Sequence, residues 1–292
     1  MSDGATATAT GGPRVTYTEK VSNRRTKTII IVALAVAILA IITIAGLTMD
    51  PECYATNFGE KNLPPSAAHL FGTDWMGRDM FMRTIKGLST SIYIGLLASA
   101  VTSIVALFLG VLAGTIGKWA TSAFNWMVDL FMGVPHLILL ILISVLTGRG
   151  ARGVMIGVIV THWCPLGRIV QAEIMSLKNS QYVQAAQRMG KTNFNIAMKH
   201  MLPHVIPQFV VGLVLMFPHA IMHEASITFL GFGLPAEQPA IGVILSESMK
   251  YLTTGMWWLA LLPGLCLLII VVLFEAIGTN LRLLIDPFSA QG

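Results

Sequence analysis

Two histidines, His219 and His223, stand four positions apart in an otherwise apolar stretch of the sequence. In a helix, side chains four residues apart share one face, so the two imidazoles come close enough to bind one metal ion. Imidazole nitrogens suit soft or borderline metal ions. Two ligands from one subunit would suit a transient metal path, because a complete cage would trap the ion. The alternative is that both histidines hydrogen-bond to neighbouring helices.

Other ionisable residues lie within apolar segments, where they are costly and therefore functional candidates. Glu224 lies next to this pair, but one residue turns a helix by about 100°, so Glu224 points away from it. Glu224 and His162, which lies in a different apolar segment, are candidates for further positions on the path. For Asp129 and Glu275 we expect pairing with another helix or subunit rather than contact with cargo.

The composition is that of a membrane protein that crosses the bilayer several times. Of 292 residues, 54% are hydrophobic and 11% are charged, against roughly 25% charged in a soluble domain. The mean hydropathy is +0.72. The net charge of +5 does not indicate a nucleic-acid partner, because the basic residues are spread between the apolar segments. The three cysteines have no metal-site or disulfide spacing.

The hydropathy pattern predicts an all-α protein with six transmembrane helices. Residues 1–27 are expected to be a flexible cytoplasmic tail, 28–49 the first helix, and 50–90 an extracytoplasmic segment with an interfacial helix from Asp79 onward. Residues 91–287 form the core, with five helices at 91–117, 123–147, 154–175, 205–230 and 257–284. A cleavable signal peptide is the alternative for 28–49, but this run is long and lacks an A-x-A-type site. Twelve of the nineteen lysines and arginines fall on the predicted inner side, which places both termini in the cytoplasm.

A basic, polar segment separates the fourth and fifth predicted spans. Tyr182–Met189 contains good helix formers and is followed by Gly190, a plausible helix cap. A second helical run, 193–202, is expected to stop at Pro203, because proline disfavours helical backbone in the residue before it. The sequence therefore predicts a helical elbow, 181–203, on the cytoplasmic surface.

The elbow resembles a motif of the permease subunits of bacterial ABC importers: Glu-Ala-Ala, three residues, Gly, nine residues, an apolar residue, one residue, Leu-Pro. The matching positions here are Gln184, Ala185, Ala186, Gly190, His200, Leu202 and Pro203. Gln184 departs from Glu, and His200 departs from the usual Ile, as in the dipeptide/oligopeptide/nickel branch. The resemblance implies that the elbow is the coupling helix that enters a cleft on an ATPase subunit. Two small alanines would admit another surface; the alternative is an ordinary basic loop.

Further motifs extend this resemblance to residues 28–287. They are Gly72-Thr73-Asp74 with Gly77-Arg78-Asp79, Thr228-Phe229-Leu230-Gly231-Phe232-Gly233, Leu262-Pro263-Gly264 and Asp286-Pro287. Asp74 is expected to cap the interfacial helix; contact with a binding protein is the alternative. Nickel permeases of the branch are similar in carrying His-x-x-x-His ahead of the Phe-Leu-Gly-x-Gly turn. The chain thus resembles the C-type subunit of a nickel importer most closely.

What the resemblance implies is one of two permease subunits of the type I ABC importer fold, in the cytoplasmic (inner) membrane of a bacterium or archaeon. Its expected partners are a second, different permease, two ATPases and an extracytoplasmic solute-binding protein. No G-x-x-x-x-G-K-[ST] phosphate loop is present, so ATP and magnesium would be bound by the ATPases, and this subunit is not expected to be an enzyme. The expected cargo is nickel or a nickel chelate; the alternative is a dipeptide or oligopeptide. A channel or secondary transporter would not need the elbow, and a metallohydrolase would need His-Glu-x-x-His.

Overall fold

All regular elements in residues 24–285, the part of the chain that the computed structural model describes, are helical. The long helices are α1 (Arg24–Thr48), α2 (Met80–Thr115), α3 (Lys118–Gly133), α4 (His136–Leu146), α5 (Ala151–Lys178), α8 (Leu202–Phe229) and α10 (Trp258–Ile285). The short ones are α6 (Gln181–Arg188), α7 (Asn193–Ile196) and α9 (Ile241–Met249), with 3₁₀ turns at Pro51–Tyr54, Phe58–Glu60 and Leu252–Thr254. The predicted tail lies outside the described residues except at its end, which forms the first turn of α1. The Asp286-Pro287 motif lies outside them too.

Five helical stretches are each long and apolar enough to cross a membrane, and α3 with α4 supplies a sixth crossing. The prediction of an all-α, six-span protein is confirmed. An even number of crossings puts both ends of the described chain on the same side, and the distribution of basic residues assigns that side to the cytoplasm.

The centre of the bundle is the close contact of α2 with α5. Gly110 and Gly114, four residues apart on α2, face the backbone and side chains of α5: a Cβ at position 110 would come within 2.7 Å of the Gly167 carbonyl oxygen. At position 114 it would come within 2.4 Å of Ile174. Small residues at this spacing let two membrane helices approach each other closely. Helix α8 packs against α2, α5 and α10, and α1 covers α2 and α10.

The third predicted span, 123–147, is not one straight helix. The structure breaks it into α3 and α4, which meet at an angle of 95° across Gly133-Val134-Pro135. Proline has no N–H to donate and clashes with the preceding turn, and Val134 before it is extended, with φ −96° and ψ 139°. An unbroken apolar run therefore conceals a bend near the middle of this span.

The separate interfacial helix predicted from Asp79 onward is wrong. Residues 80–90 are the first turns of α2, and Arg83 on them is buried. The cap prediction for Asp74 is also wrong: the Asp79 carboxylate accepts the hydrogen bond from the Met82 N–H and caps α2. Asp79 also contacts His69, whose Nδ1 lies 2.7 Å from Oδ2.

Asp74 instead belongs to a network of two carboxylates and two guanidinium groups beneath the extracytoplasmic segment. Arg78 contacts Asp74 at 2.6 Å and Glu247 at 3.1 Å, and Arg83 contacts them at 3.2 and 2.7 Å. Gly77, with φ +74°, passes so close to the Asn57 carbonyl that no side chain fits there. The glycine-rich motif therefore folds this segment and ties it to α9.

The elbow is joined to α8 without interruption, contrary to the predicted stop at Pro203. A π-helical turn, Ala197–Met201, links α7 to α8, and the Leu202 N–H donates to the Ala197 carbonyl. The wider π turn accommodates a proline ring that would crowd an α-helical carbonyl four residues earlier. A single helical rod thus runs from Asn193 to Phe229.

Candidate functional site

A cavity of about 820 Å³ lies among α3, α4, α5 and α8. Four imidazoles, two methionines, one cysteine and one threonine are the polar or sulfur-bearing side chains of its wall. They are His136, His162, His219, His223, Met132, Met216, Cys164 and Thr161. The described residues that line it include no Asp, Glu, Lys or Arg.

Three of the imidazoles form a compact group in this wall. His136, His162 and His223 each offer one nitrogen, and these nitrogens lie within 4.8 Å of one another. The Nε2 atoms of His136 and His162 are 3.3 Å apart, and the three ring centroids are separated by 4.5 to 4.7 Å. His162 is buried and the other two are half-buried. Three neutral nitrogens converging on one point can bind a late first-row metal ion.

Each histidine of this group comes from a different helix. The break at Pro135 makes His136 the first residue of α4 and directs it toward the centre of the bundle. His162 lies midway along α5, ahead of Pro165, which has no N–H to donate to the Thr161 carbonyl. His223 lies on α8, one turn after His219.

The structure does not keep the two histidines of the predicted metal pair together, and their metal role stays a prediction. His223 belongs to the group, whereas His219 is exposed, lines the same cavity and is not one of the three. His162, predicted as a further position on the path, is a central member. His136 was missed, because it sits in an apolar run that reads as one span; Gly133-Val134-Pro135 ahead of it was the signal that a helix breaks there.

Glu224, the other pathway candidate, does not line the cavity. It is fully buried between helices, and the Thr228 hydroxyl donates to its Oε1 at 2.9 Å. Asp129 forms an ion pair with Arg168 of α5, which confirms the expected pairing with another helix. Glu275 is exposed on α10 and makes no ion pair within residues 24–285.

The outer end of the bundle is tied together above the cavity. The loop after α8 accepts hydrogen bonds at the Phe232 carbonyl from Ser144 of α4, at 3.3 Å, and at the Gly233 carbonyl from the Gly150 N–H, at 3.0 Å. On α8 the cavity is lined by residues 212 to 223, and on α5 by residues 161 to 169. The cavity therefore extends from the three imidazoles toward the cytoplasmic half of the bundle.

The elbow presents one face to the bundle and the other to solvent. Val183, Ala186, Ile196 and Met201 are buried against α5 and the start of α8. The small size of Ala185 and Ala186 suggested that both could admit another surface. Ala186 is buried and cannot do so, whereas Ala185 and Gln184 are exposed. Met189 and Phe194 are exposed large apolar side chains, at 78% and 76%.

The turn of the elbow is a Schellman motif centred on Gly190. The Gly190 N–H donates to the Gln187 carbonyl and the Lys191 N–H to the Ala186 carbonyl. Gly190 has φ +76°, which few other residues adopt readily. His200 receives a contact from the Lys191 ammonium at 3.2 Å, Leu202 begins α8, and Pro203 is exposed on its first turn.

A six-span helical bundle with a central cavity and a protruding elbow is the architecture of a membrane transport subunit. The chain belongs to the family described as "Binding-protein-dependent transport system inner membrane component", whose model matches residues 106–286. Its members are inner-membrane permease subunits of ABC importers that work with a solute-binding protein.

Curated relatives carry different substrates in their names. The dipeptide transport system permease protein DppC of Bacillus subtilis is 30% identical over 278 residues, covering 94% of this chain and 87% of its own. The oligopeptide permease OppC of the same organism is 33% identical, over 80% of this chain and 76% of its own. The nickel permease NikC of Escherichia coli is 31% identical, over 88% of this chain and 94% of its own. These similar values place the chain in the branch without selecting a substrate.

A solved structure shares the fold. A chain of the MetNI methionine ABC transporter, captured in an inward-facing conformation, superposes with a TM-score of 0.59 at 18% identity. The match covers 71% of this chain and 98% of that one. The predicted type I importer fold is thereby confirmed.

Proposed function

We propose that this permease subunit carries a late first-row transition-metal cation, nickel foremost, across the cytoplasmic membrane. The observation that supports this cargo is the convergence of His136, His162 and His223 in one cavity. The described residues that line this cavity include no carboxylate. Imidazole ligands suit nickel, copper and zinc, whereas magnesium, calcium and manganese prefer oxygen ligands. An importer must also release its ion, and three neutral ligands bind less strongly than a charged cage.

The end of α3 adds to the attraction for a cation. The last carbonyls of a helix lack intrahelical partners, and they carry the negative end of the helix dipole. Residues 131–134, where α3 ends, line the cavity beside the imidazoles. Broken membrane helices that present their carboxyl ends to a cation are a recurring feature of transporters.

A dipeptide is the second candidate cargo, because DppC and OppC, two relatives similar to this chain, are named for peptides. A cavity of about 820 Å³ is large enough for a small organic molecule. A zwitterionic peptide, however, is best held by an acidic and a basic side chain at its two ends, and the described residues that line the cavity include neither. The cavity chemistry therefore favours the metal.

Transport in this proposal is driven by separate ATPase subunits that push on the elbow. Its buried face packs on α5 and α8, the helices that carry His162 and His223. ATP-driven closure of the ATPases would move the elbow, tilt these helices and open the cavity outward; hydrolysis would reverse the motion. A second permease and a solute-binding protein would complete the assembly.

The test is uptake by cells that express the complete importer and lack other nickel and dipeptide systems. Radioactive nickel and a labelled dipeptide are supplied separately, with the wild-type chain and with the double variant His136→Ala, His162→Ala. We expect nickel uptake to fall to background in the double variant while the complex still assembles. Dipeptide uptake without nickel uptake by the wild type would replace the metal proposal with the peptide one.

A further inference from the structure

Thr161 contacts the buried member of the three-imidazole group from directly behind it. The threonine is 4% exposed, and its Oγ1 lies 3.0 Å from Nδ1 of His162. The same Oγ1 lies 2.9 Å from the carbonyl oxygen of Gly157, one turn earlier in α5. One hydroxyl group thus lies within hydrogen-bonding distance of two neighbours, although it can donate only one proton.

The chemistry of the two neighbours decides where that proton goes. A carbonyl oxygen can only accept a hydrogen bond, so the contact with Gly157 uses the threonine proton. Oγ1 must then accept from His162, which requires a proton on Nδ1. The contact with Thr161 therefore favours the Nδ1–H tautomer of His162.

We infer that Thr161 is a positioning residue that fixes the tautomer of His162, holding the proton on Nδ1 and leaving Nε2 free as a metal ligand. This inference rests on the proposed function, because it concerns the same site. A histidine that binds a metal through one nitrogen almost always donates its other N–H to a fixed partner, which orients the ring.

The distance across the site agrees with this role. The free Nε2 of His162 lies 3.3 Å from Nε2 of His136. Two nitrogens bound to one tetrahedral ion at about 2.0–2.1 Å would be separated by about 3.3–3.4 Å. The two rings are therefore already spaced as two ligands of one ion, and Thr161 ensures that His162 presents a lone pair there.

The experiment uses the assembled importer, purified in nanodiscs, with cobalt(II) as a spectroscopic probe and nickel as its competitor. Thr161→Val keeps the shape of the side chain but removes the acceptor, and Thr161→Ser restores a hydroxyl. Thr102→Val is the matched control, because Thr102 is also fully buried and also donates to the carbonyl four residues earlier, away from the histidines.

We expect Thr161→Val to weaken cobalt binding on the order of 10–100-fold and to change the visible absorption of bound cobalt. Thr161→Ser should recover most of the affinity and the wild-type spectrum, and Thr102→Val should match the wild type in both. If Thr161→Val binds as tightly as the wild type with an unchanged spectrum, the tautomer role is wrong while the metal site stands. If the wild-type importer binds neither cobalt nor nickel, the proposed function itself fails.

Discussion

At the scale of single residues, the three-imidazole group separates histidines that the sequence alone treats alike. His219 and His223 have the same spacing argument in their favour, yet only His223 meets His136 and His162. The spacing rule describes one helix, whereas a site is built by several. His136 therefore could not be found from helix periodicity, and its place follows from a backbone break in a different span.

The two neighbouring histidines provide a direct prediction. His223→Leu should weaken nickel binding by on the order of tenfold or more, since it removes one of three ligands. His219→Leu should leave affinity within a few-fold of the wild type, because this ring lies outside the group. The measurement is competition of the purified importer with a chromophoric chelator. Equal losses in both variants would return the site to the predicted pair and contradict the three-histidine geometry.

At the scale of elements, hydropathy and proline placement predict most of the helices, but they do not predict where a helix breaks or continues into the next. The existence of the spans follows from the length of the apolar runs, because a bilayer requires about 20 such residues. The break between α3 and α4, and the continuity through Pro203, depend on local backbone hydrogen bonds that a hydropathy average does not sense. The chemistry of the cavity depends on the first of these joints.

The Gly190 turn yields a prediction in which backbone conformation, rather than size, decides the outcome. A Cβ at this position meets no atom within 4 Å, but φ is +76°. A left-handed conformation costs an L-residue about 1–2 kcal/mol, more for a β-branched one and less for asparagine. Gly190→Val should therefore reduce transport-coupled ATPase activity of the assembled importer, with membrane insertion unchanged.

Gly190→Asn is the control for this variant, because asparagine tolerates the same backbone angles and should retain most of the coupling. If the valine variant couples as well as the wild type, the shape of the turn has no part in contact with the ATPase. If asparagine fails as badly as valine, side-chain bulk at the interface is the cause instead of backbone strain.

At the scale of the whole molecule, a network of ion pairs holds the outer end of the bundle together. On the outer side, Asp74, Arg78, Arg83 and Glu247 join the extracytoplasmic segment to α2 and α9. Asp74 and Arg78 belong to a motif that was interpreted as a family signature, and the physical role of these two residues is this network. The sequence could not show the link to α9, since Glu247 lies 169 residues from Arg78.

Breaking the network should destabilise the protein strongly. Arg83→Gln leaves Asp74 and Glu247 with one shared guanidinium instead of two, and removing one partner of a buried ion pair costs on the order of 3–5 kcal/mol. The midpoint of thermal unfolding in detergent should fall clearly. Lys250→Gln, an exposed position nearby in α9's C-cap, should leave the midpoint unchanged. An unchanged midpoint for Arg83→Gln would mean that the network contributes little.

In the proposed metal site, the division of the three histidines among three helices has a mechanical consequence. Metal–nitrogen distances tolerate changes of only about 0.2 Å, so a site of this kind is lost when one ligand shifts by the width of an atom. His223 lies on the helical rod that begins in the elbow, whereas His136 lies on α4, which is not part of that rod. A displacement of the elbow by about one ångström, transmitted along the rod, would move His223 far enough from the other two histidines to release the ion.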